Sequence, residues 1–238
     1  MSTSLPAWSV RAVNLPEHAD NPVHTHAGGL AAGFEGALVA GTTVYAYLTR
    51  PVLRAWGLAW VAGGRADVRF HSPVLADALV EVEATERNDG LMVEATSASR
   101  SCATALVQLR SDGPGAPVGR RLEPLVEVLD AHWTGYAGRV GADVDFSAEH
   151  DGVHPVVWLA LANRVFAAQL VDGPWVHTGS IVRHLGTAAP GDTVVVECWL
   201  VDRFTTRAGA RATADVRVSI DGRPVAAIEH EAIVRLGT

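Results

Sequence analysis

The chain has 238 residues, 48% of them apolar, and a formal net charge of −7; none of its 19 basic side chains is Lys. That length and apolar content support one large domain or two small ones with a sizeable core. The negative balance argues against a nucleic-acid partner, the lack of Lys removes Schiff-base chemistry, and no apolar run reaches the roughly 18–20 residues a membrane helix needs. The start, MSTSLPAWSV, has no basic segment ahead of an apolar one, so no secretory signal is expected. Cys102 and Cys198 sit in strand-like runs and read as reduced core thiols, which points to a cytoplasmic protein.

In chain order, the first feature is the turn Asn21-Pro22-Val23-His24, followed by the loop Gly33-Phe34-Glu35-Gly36. An apolar helix is predicted over Thr42–Trp56, its apolar residues spread around the whole circumference, as burial on more than one side requires. Pro51 is expected to interrupt or kink it. Strands follow over Ala66–Phe70 and, after an Ala76-Asp77 turn, Leu79–Ala84, then Leu91–Ser99 and Ala103–Arg110. The Pro- and Gly-rich stretch Ser111–Gly119 reads as a linker. Beyond it come a helix over Val156–Leu170 and strands over Ser180–His184 and Thr193–Val201, the latter introduced by Pro190-Gly191-Asp192. The last two strands, Ala210–Ile220 and Arg223–Leu236, are joined by Asp221-Gly222, a strong hairpin signal.

These elements form one unit used twice. A shift of 114 residues lays Val39–Ala84 on Val153–Cys198, matching Arg50 with Arg164, Val68-Arg69 with Val182-Arg183, and Val82-Glu83 with Val196-Glu197. Each copy runs as apolar helix, short link, strand, turn and long alternating strand. The expected organisation is therefore α+β, with a first unit over residues 1–110, a linker at 111–119 and a second unit over 120–238.

The stretch from Asn21 to Gly41 carries a resemblance. Asn21, Pro22, Val23, His24, Gly33, Phe34, Gly36, Val39 and Gly41 fall in register with a pattern that runs roughly as Asp-x-Asn-Pro-aliphatic-His, eight residues, then Gly-Phe-x-Gly-x-aliphatic-x-His-Gly. On these residues the chain resembles the MaoC-like (R)-specific enoyl-CoA hydratases and dehydratases of the hotdog superfamily. The second half is also similar to hotdog acyl-CoA thioesterases. The resemblance implies a double hotdog: two long buried helices, each wrapped by an antiparallel sheet. It implies an acyl thioester, on CoA or a carrier protein, as the small-molecule substrate, no cofactor, and a place in fatty acid metabolism. It also makes a homo-oligomer of the fused pair an expectation. The family's catalytic Asp falls on Ala19, with Asp20 one place late, and its second His falls on Ala40. In a fused pair one site can be kept while its twin decays, and only the first half carries the two motifs.

The candidate residues follow from chemistry as well as from the resemblance. His24 titrates near neutrality and can move a proton either way; Asn21 could hold it or a water through its amide, or serve only as the turn former before Pro22. Asp20 is the stand-in for the absent Asp, although a one-residue shift in an extended segment turns a side chain to the other face. Gly36, Val39 and Gly41 flank the helix start, where backbone N–H groups favour developing negative charge. Glu35 reads as a solvated loop carboxylate. In the second half His154 stands opposite Ala40 and could line the seam between units, and Asn163 is the only short polar residue of its helix, fit to orient a water or to satisfy a buried carbonyl. His150, Asp151, His154 and His177 lack convincing metal-ligand spacing, so no metal is expected. The three readings are a hydratase or dehydratase, a thioesterase that hydrolyses the acyl-CoA bond, and a non-catalytic acyl-CoA-binding subunit.

Overall fold

The structure is a computed structural model that describes residues 5–143 and 146–237. The first half opens with β1 (Trp8–Arg11), two 3-10 turns (Pro16–Asp20 and Pro22–His24) and the short α1 (His26–Ala31). The long α2 (Gly41–Gly63) follows, then β2 (Arg65–Phe70), β3 (Leu79–Arg87), β4 (Gly90–Ser97) and β5 (Arg100–Gln108). The second half has two short strands, β6 (Arg120–Arg121) and β7 (Leu125–Val128), and three short helices, α3 (Ala131–Thr134), α4 (Tyr136–Arg139) and α5 (Phe146–His150). It continues with α6 (Val156–Gln169), β8 (Val176–His184), β9 (Thr193–Thr206), β10 (Gly209–Ile220) and β11 (Arg223–Leu236).

Periodicity gives all the long elements, with α6, β10 and β11 within a residue of their predicted bounds, while α2 runs on to Gly63, β8 begins at Val176 and β9 runs on to Thr206. In β3, Val80, Val82 and Ala84 point inward while Glu81 and Glu83 are exposed. Pro51 does not interrupt α2. The non-helical backbone lies further on, at Gly57, with φ 53° and ψ −140°, a conformation that glycine adopts without a Cβ clash. The early strand β1 is too short to carry a repeating apolar pattern that periodicity could detect, and of the 3-10 turns only the one at Pro22–His24 is marked in sequence, by the Asn21-Pro22-Val23-His24 motif.

All strands pair antiparallel in a sheet ordered β1-β3-β4-β5-β2-β8-β11-β10-β9-β6, with β7 also on β9. The two halves meet at β2 and β8, which pair from Arg65↔Arg183 to Arg69↔Gly179. Helix α2 packs on strands of its own half and on β8, α6 packs on β9 and β11, and the two helices touch. Between helices and sheet lie fully buried large side chains, among them Tyr45, Trp60, Trp158, Leu161 and Phe166; burying such a side chain contributes roughly 1.5–3 kcal/mol. The outer face is held by ion pairs, Arg183 with Glu229 at 2.6 Å and Arg217 with Asp215 at 2.6 Å, and Arg217 also reaches the Gly115 carbonyl at 3.1 Å. The repeat-matched Arg50 and Arg164 do the same thing in each half: they lie over Trp8 (4.4 Å) and Trp133 (5.8 Å). No helix among the described residues is long and apolar enough to cross a membrane.

Candidate active site at the seam

Each end of the β2–β8 pair meets the N-terminus of one long helix. At the Arg69–Gly179 end, the 3-10 turn Pro22–His24 brings the first-half motif against the second half. Pro22 starts the turn and holds Asn21 extended (φ −97°, ψ 113°). From there the Asn21 amide crosses the seam: its Nδ2 donates to the Trp175 carbonyl at 2.9 Å, and its Oδ1 accepts the Trp175 N–H at 3.4 Å.

His24 is fixed from two sides. Its Nδ1–H donates to the Leu38 carbonyl at 2.8 Å, which makes Nε2 the acceptor, and Asn21 Nδ2–H donates to it at 3.3 Å. Asn14 pins the backbone around it. Its Nδ2 donates to the carbonyls of Leu38 (2.7 Å) and His24 (3.3 Å), and its Oδ1 accepts the Ala40 N–H (3.1 Å). Burial lowers the pKa of His24, and the bond to Leu38 opposes that shift. The imidazole is thus neutral near pH 7, as a base must be.

Two cavities meet at this turn. One, of about 370 Å³, is mostly apolar, walled by Phe34, Val39, Gly41, Val44, Phe70 and Cys102 among others, with His177 and Arg211 as its charged or ionisable members on the second-half side. The other, of about 550 Å³, is more polar and includes Glu17, His18, Asp20, Thr42, Tyr136 and Arg164. Asn21, His24, Asn163 and Trp175 line both. The start of α2 stands at the same junction, Gly41 facing the apolar cavity and Thr42 the polar one. Its N-cap, Ala40, supplies no side-chain hydrogen bond, so the first-turn N–H groups remain directed at whatever occupies the junction. Gly41 has to be glycine there: a Cβ would fall 2.9 Å from His177 Nδ1.

Of the residues named from sequence, His24, Asn21, Gly41, Val39 and Asn163 converge on this junction. Asp20 is exposed at the end of its 3-10 turn, and only the polar cavity reaches it; Ala19 is exposed beside it. Gly36 is buried in its loop and Glu35 is exposed, and neither lines either cavity. His154 also lines neither. Its Nδ1 accepts the Val156 N–H at 3.1 Å and its ring meets Phe146 edge-on, so it caps α6 from inside the core.

Several site residues carry no sequence signal. His18 lies on the 3-10 turn before Ala19, half-buried, with its ring centroid 5.9 Å from that of His24. The Leu15 N–H donates to His18 Nδ1 at 3.1 Å, and Nε2 meets the Tyr136 hydroxyl at 3.0 Å. Tyr136 comes from the second half and is in turn within 2.8 Å of Thr42 Oγ1 and 3.1 Å of Thr43 Oγ1 on the first turn of α2. Burial and the neighbouring His24 push His18 down to about 4, and burial pushes Tyr136 up to about 12. Under the apolar cavity, Ser180 Oγ bridges His177 Nε2 (2.9 Å) and His230 Nδ1 (2.8 Å). His177 stands out in sequence only as a histidine without metal-ligand spacing; the fold alone reveals the roles of these groups, because their partners lie as much as 118 positions away in the chain.

The Arg65–Arg183 end of the β2–β8 pair is built differently. The His184 N–H donates to the Gly64 carbonyl at 2.8 Å, and the Trp60 ring stands 4.4 Å from that of His184. Trp60, Trp158, His154 and His184 are all fully buried there, with Phe146 against His154. None of these residues lines either cavity at the His24 end. Among those residues, too, no three His, Cys, Asp or Glu side chains gather as a metal site.

No protein-family model matches the chain, and no curated protein sequence matches it. Solved structures do. A conserved protein of Mycobacterium tuberculosis described as having a double hotdog fold superposes with a TM-score of 0.66 at 13% identity, over 98% of this chain and 96% of its own. A MaoC-domain dehydratase from Chloroflexus aurantiacus gives 0.67 at 11% identity, over 100% and 95%. An oleoyl thioesterase from Lactobacillus plantarum gives 0.55 at 10% identity, over 100% and 98%. At these identities the likeness is one of fold, and the fold is a double hotdog.

Proposed function

We propose that this double hotdog protein is an acyl-thioester hydratase or dehydratase, acting between an (R)-3-hydroxyacyl thioester and its enoyl form. The observation that carries the reading is the fixed His24. Its Nδ1 is committed to Leu38, and its neutral Nε2, held by a longer 3.3 Å bond from Asn21, lies on a ring that lines both cavities beside a helix start. In the hydration direction, His24 Nε2 takes a proton from water while the water oxygen bonds to C3 of the enoyl group. Charge moves onto the thioester carbonyl, and the first-turn N–H groups at Gly41 and Thr42 hold it. Asn21 ties the His24 turn to the partner wall at Trp175, and Asn163 faces both cavities from α6.

Two further readings keep a specific support. Ala19 in place of a carboxylate favours a non-catalytic acyl-CoA-binding subunit. The fold shared with an oleoyl thioesterase favours hydrolysis by a water held at the junction, although α6 carries no carboxylate to act as base. A paired assay separates the three. Loss of enoyl absorbance and release of free thiol are followed together on a series of enoyl-CoAs. Enoyl loss without thiol supports the hydratase; thiol release supports the thioesterase. Acyl-CoA binding with neither signal supports the binding subunit.

A further inference from the structure

Hydration needs a second proton movement besides the one at His24, since C2 must be protonated, and the residue at the family's Asp position cannot supply it. The exposed Ala19 has no titratable group, and Asp20 makes no side-chain hydrogen bond or ion pair among the described residues. We infer that Tyr136 is the second proton-transfer residue of this site, with His18 as the residue that positions it. The inference rests on the hydratase reading above.

The hydrogen bonds fix each group's role. His18 Nδ1 has two neighbours, the Leu15 N–H at 3.1 Å and Asn14 Oδ1 at 3.3 Å; Asn14 Oδ1 already accepts the Ala40 N–H, so we assign the shorter Leu15 bond, with Nδ1 the acceptor and the ring proton on Nε2. His18 therefore donates to the Tyr136 oxygen, and the Tyr136 O–H is left to point onward, to Thr42, Thr43 or a ligand at the α2 start. Burial keeps His18 neutral, so it is a fixed donor and not a competing base. Tyr136 belongs to α4 of the second half, yet its hydroxyl bonds the Thr42 and Thr43 hydroxyls on the first turn of α2 and lines the cavity that also contains His24.

His24 Nε2 takes a proton from water as the water oxygen bonds to C3. The C2–C3 π pair passes to C2, which takes the Tyr136 O–H proton. The phenolate is held by His18 Nε2–H and the Thr42 and Thr43 hydroxyls until the His24 imidazolium returns its proton to it. The net change is H and OH added across the double bond, with both residues restored.

The test compares the full-length wild type with Tyr136→Phe, His18→Ala, His18→Gln and His24→Ala, using crotonyl-CoA as substrate and butyryl-CoA for binding by calorimetry. Tyr136→Phe is expected to lower kcat by about 10²-fold or more, within the usual range for an acid–base group, with KM and butyryl-CoA affinity within about threefold of wild type. His18→Ala follows it in part, and His18→Gln, which keeps an N–H donor, recovers most of that loss. A Tyr136→Phe protein with near-wild-type kcat, beside an inactive His24→Ala protein, overturns the role of Tyr136 and leaves the hydratase reading standing. Loss of kcat and binding together assigns Tyr136 a structural role and likewise overturns it. A wild type that shows no enoyl loss, or releases thiol instead, overturns both.

Discussion

The two ends of the β2–β8 pair began from the same repeat and now do different things. At the Arg69–Gly179 end, the position facing the seam from the start of α2 is Gly41, the neighbour from β2 is Phe70, and two cavities remain around His24. At the Arg65–Arg183 end, the matching positions are Pro155 and His184, and the buried Trp60 ring stands 4.4 Å from that of His184, its Cδ1 lying 2.0 Å from where a Gly64 Cβ would be. A fused pair needs only one functional seam, and the space of the other can be given to packing. The difference also separates two uses of buried histidine. Both ring nitrogens of His24 are bonded, to the Leu38 carbonyl and the Asn21 amide, and the ring lines the cavities, whereas neither ring nitrogen of His184 has a hydrogen-bond partner among the described residues.

The comparison predicts opposite outcomes for changes at the two ends. The largest effect belongs to His24→Ala, expected to reduce kcat by about 10²–10⁴-fold with little change in Tm, measured by enoyl loss and thermal melting. Trp60→Ala should do the reverse: a destabilisation of ~3–5 kcal/mol in urea unfolding from the cavity it leaves, with the activity of the remaining folded protein retained. Gly41→Ala pushes a Cβ against His177 and moves the helix start, and a misplacement of that kind is expected to lower kcat/KM by about 10²-fold. The smallest effect is His184→Phe, which places in the filled end the residue found at the matching position of the open one. Removing two unpaired buried nitrogens should stabilise the protein by ~1–2 kcal/mol with activity unchanged; a loss of activity there would break the division between the ends.

Acidity acts on both ends at once. His154, His177 and His184 are held near 3, and His230 is also pushed well down, all chiefly by burial. In the unfolded chain these groups protonate near 6.5, so between that pH and about 3 the unfolded state binds more protons than the folded one. Stability is therefore complete above pH 6.5 and falls as the pH drops, by ~1.4 kcal/mol per pH unit for each such group. Urea midpoints measured from pH 7 to 4 check this, and His184→Phe should flatten the slope by about one proton. Activity falls on the acid side too, as His24 protonates, with an inflection below 6.5.

Much of the fold was legible because helices and strands that bury one face must repeat. The helix over Val156–Gln169 and the hairpin at Asp221-Gly222 are examples. Pro51 was misleading because a long buried helix is held by packing and tolerates a single lost hydrogen bond, while the real break is at Gly57. At the site, the contiguous turn and loop around His24 were legible and their cross-seam partners were not. Asn14, His18, Tyr136 and Trp175 are ordinary residues in sequence. They gain a role only when the second half folds against the first, and Tyr136 and His18 stand 118 positions apart.

The most direct test of one retained seam is the stoichiometry of butyryl-CoA binding by titration calorimetry, on wild type, Gly41→Val and His184→Phe. The account predicts one molecule per chain, lost in Gly41→Val and kept in His184→Phe. Two molecules per chain, or one that survives Gly41→Val and disappears with His184→Phe, would contradict it.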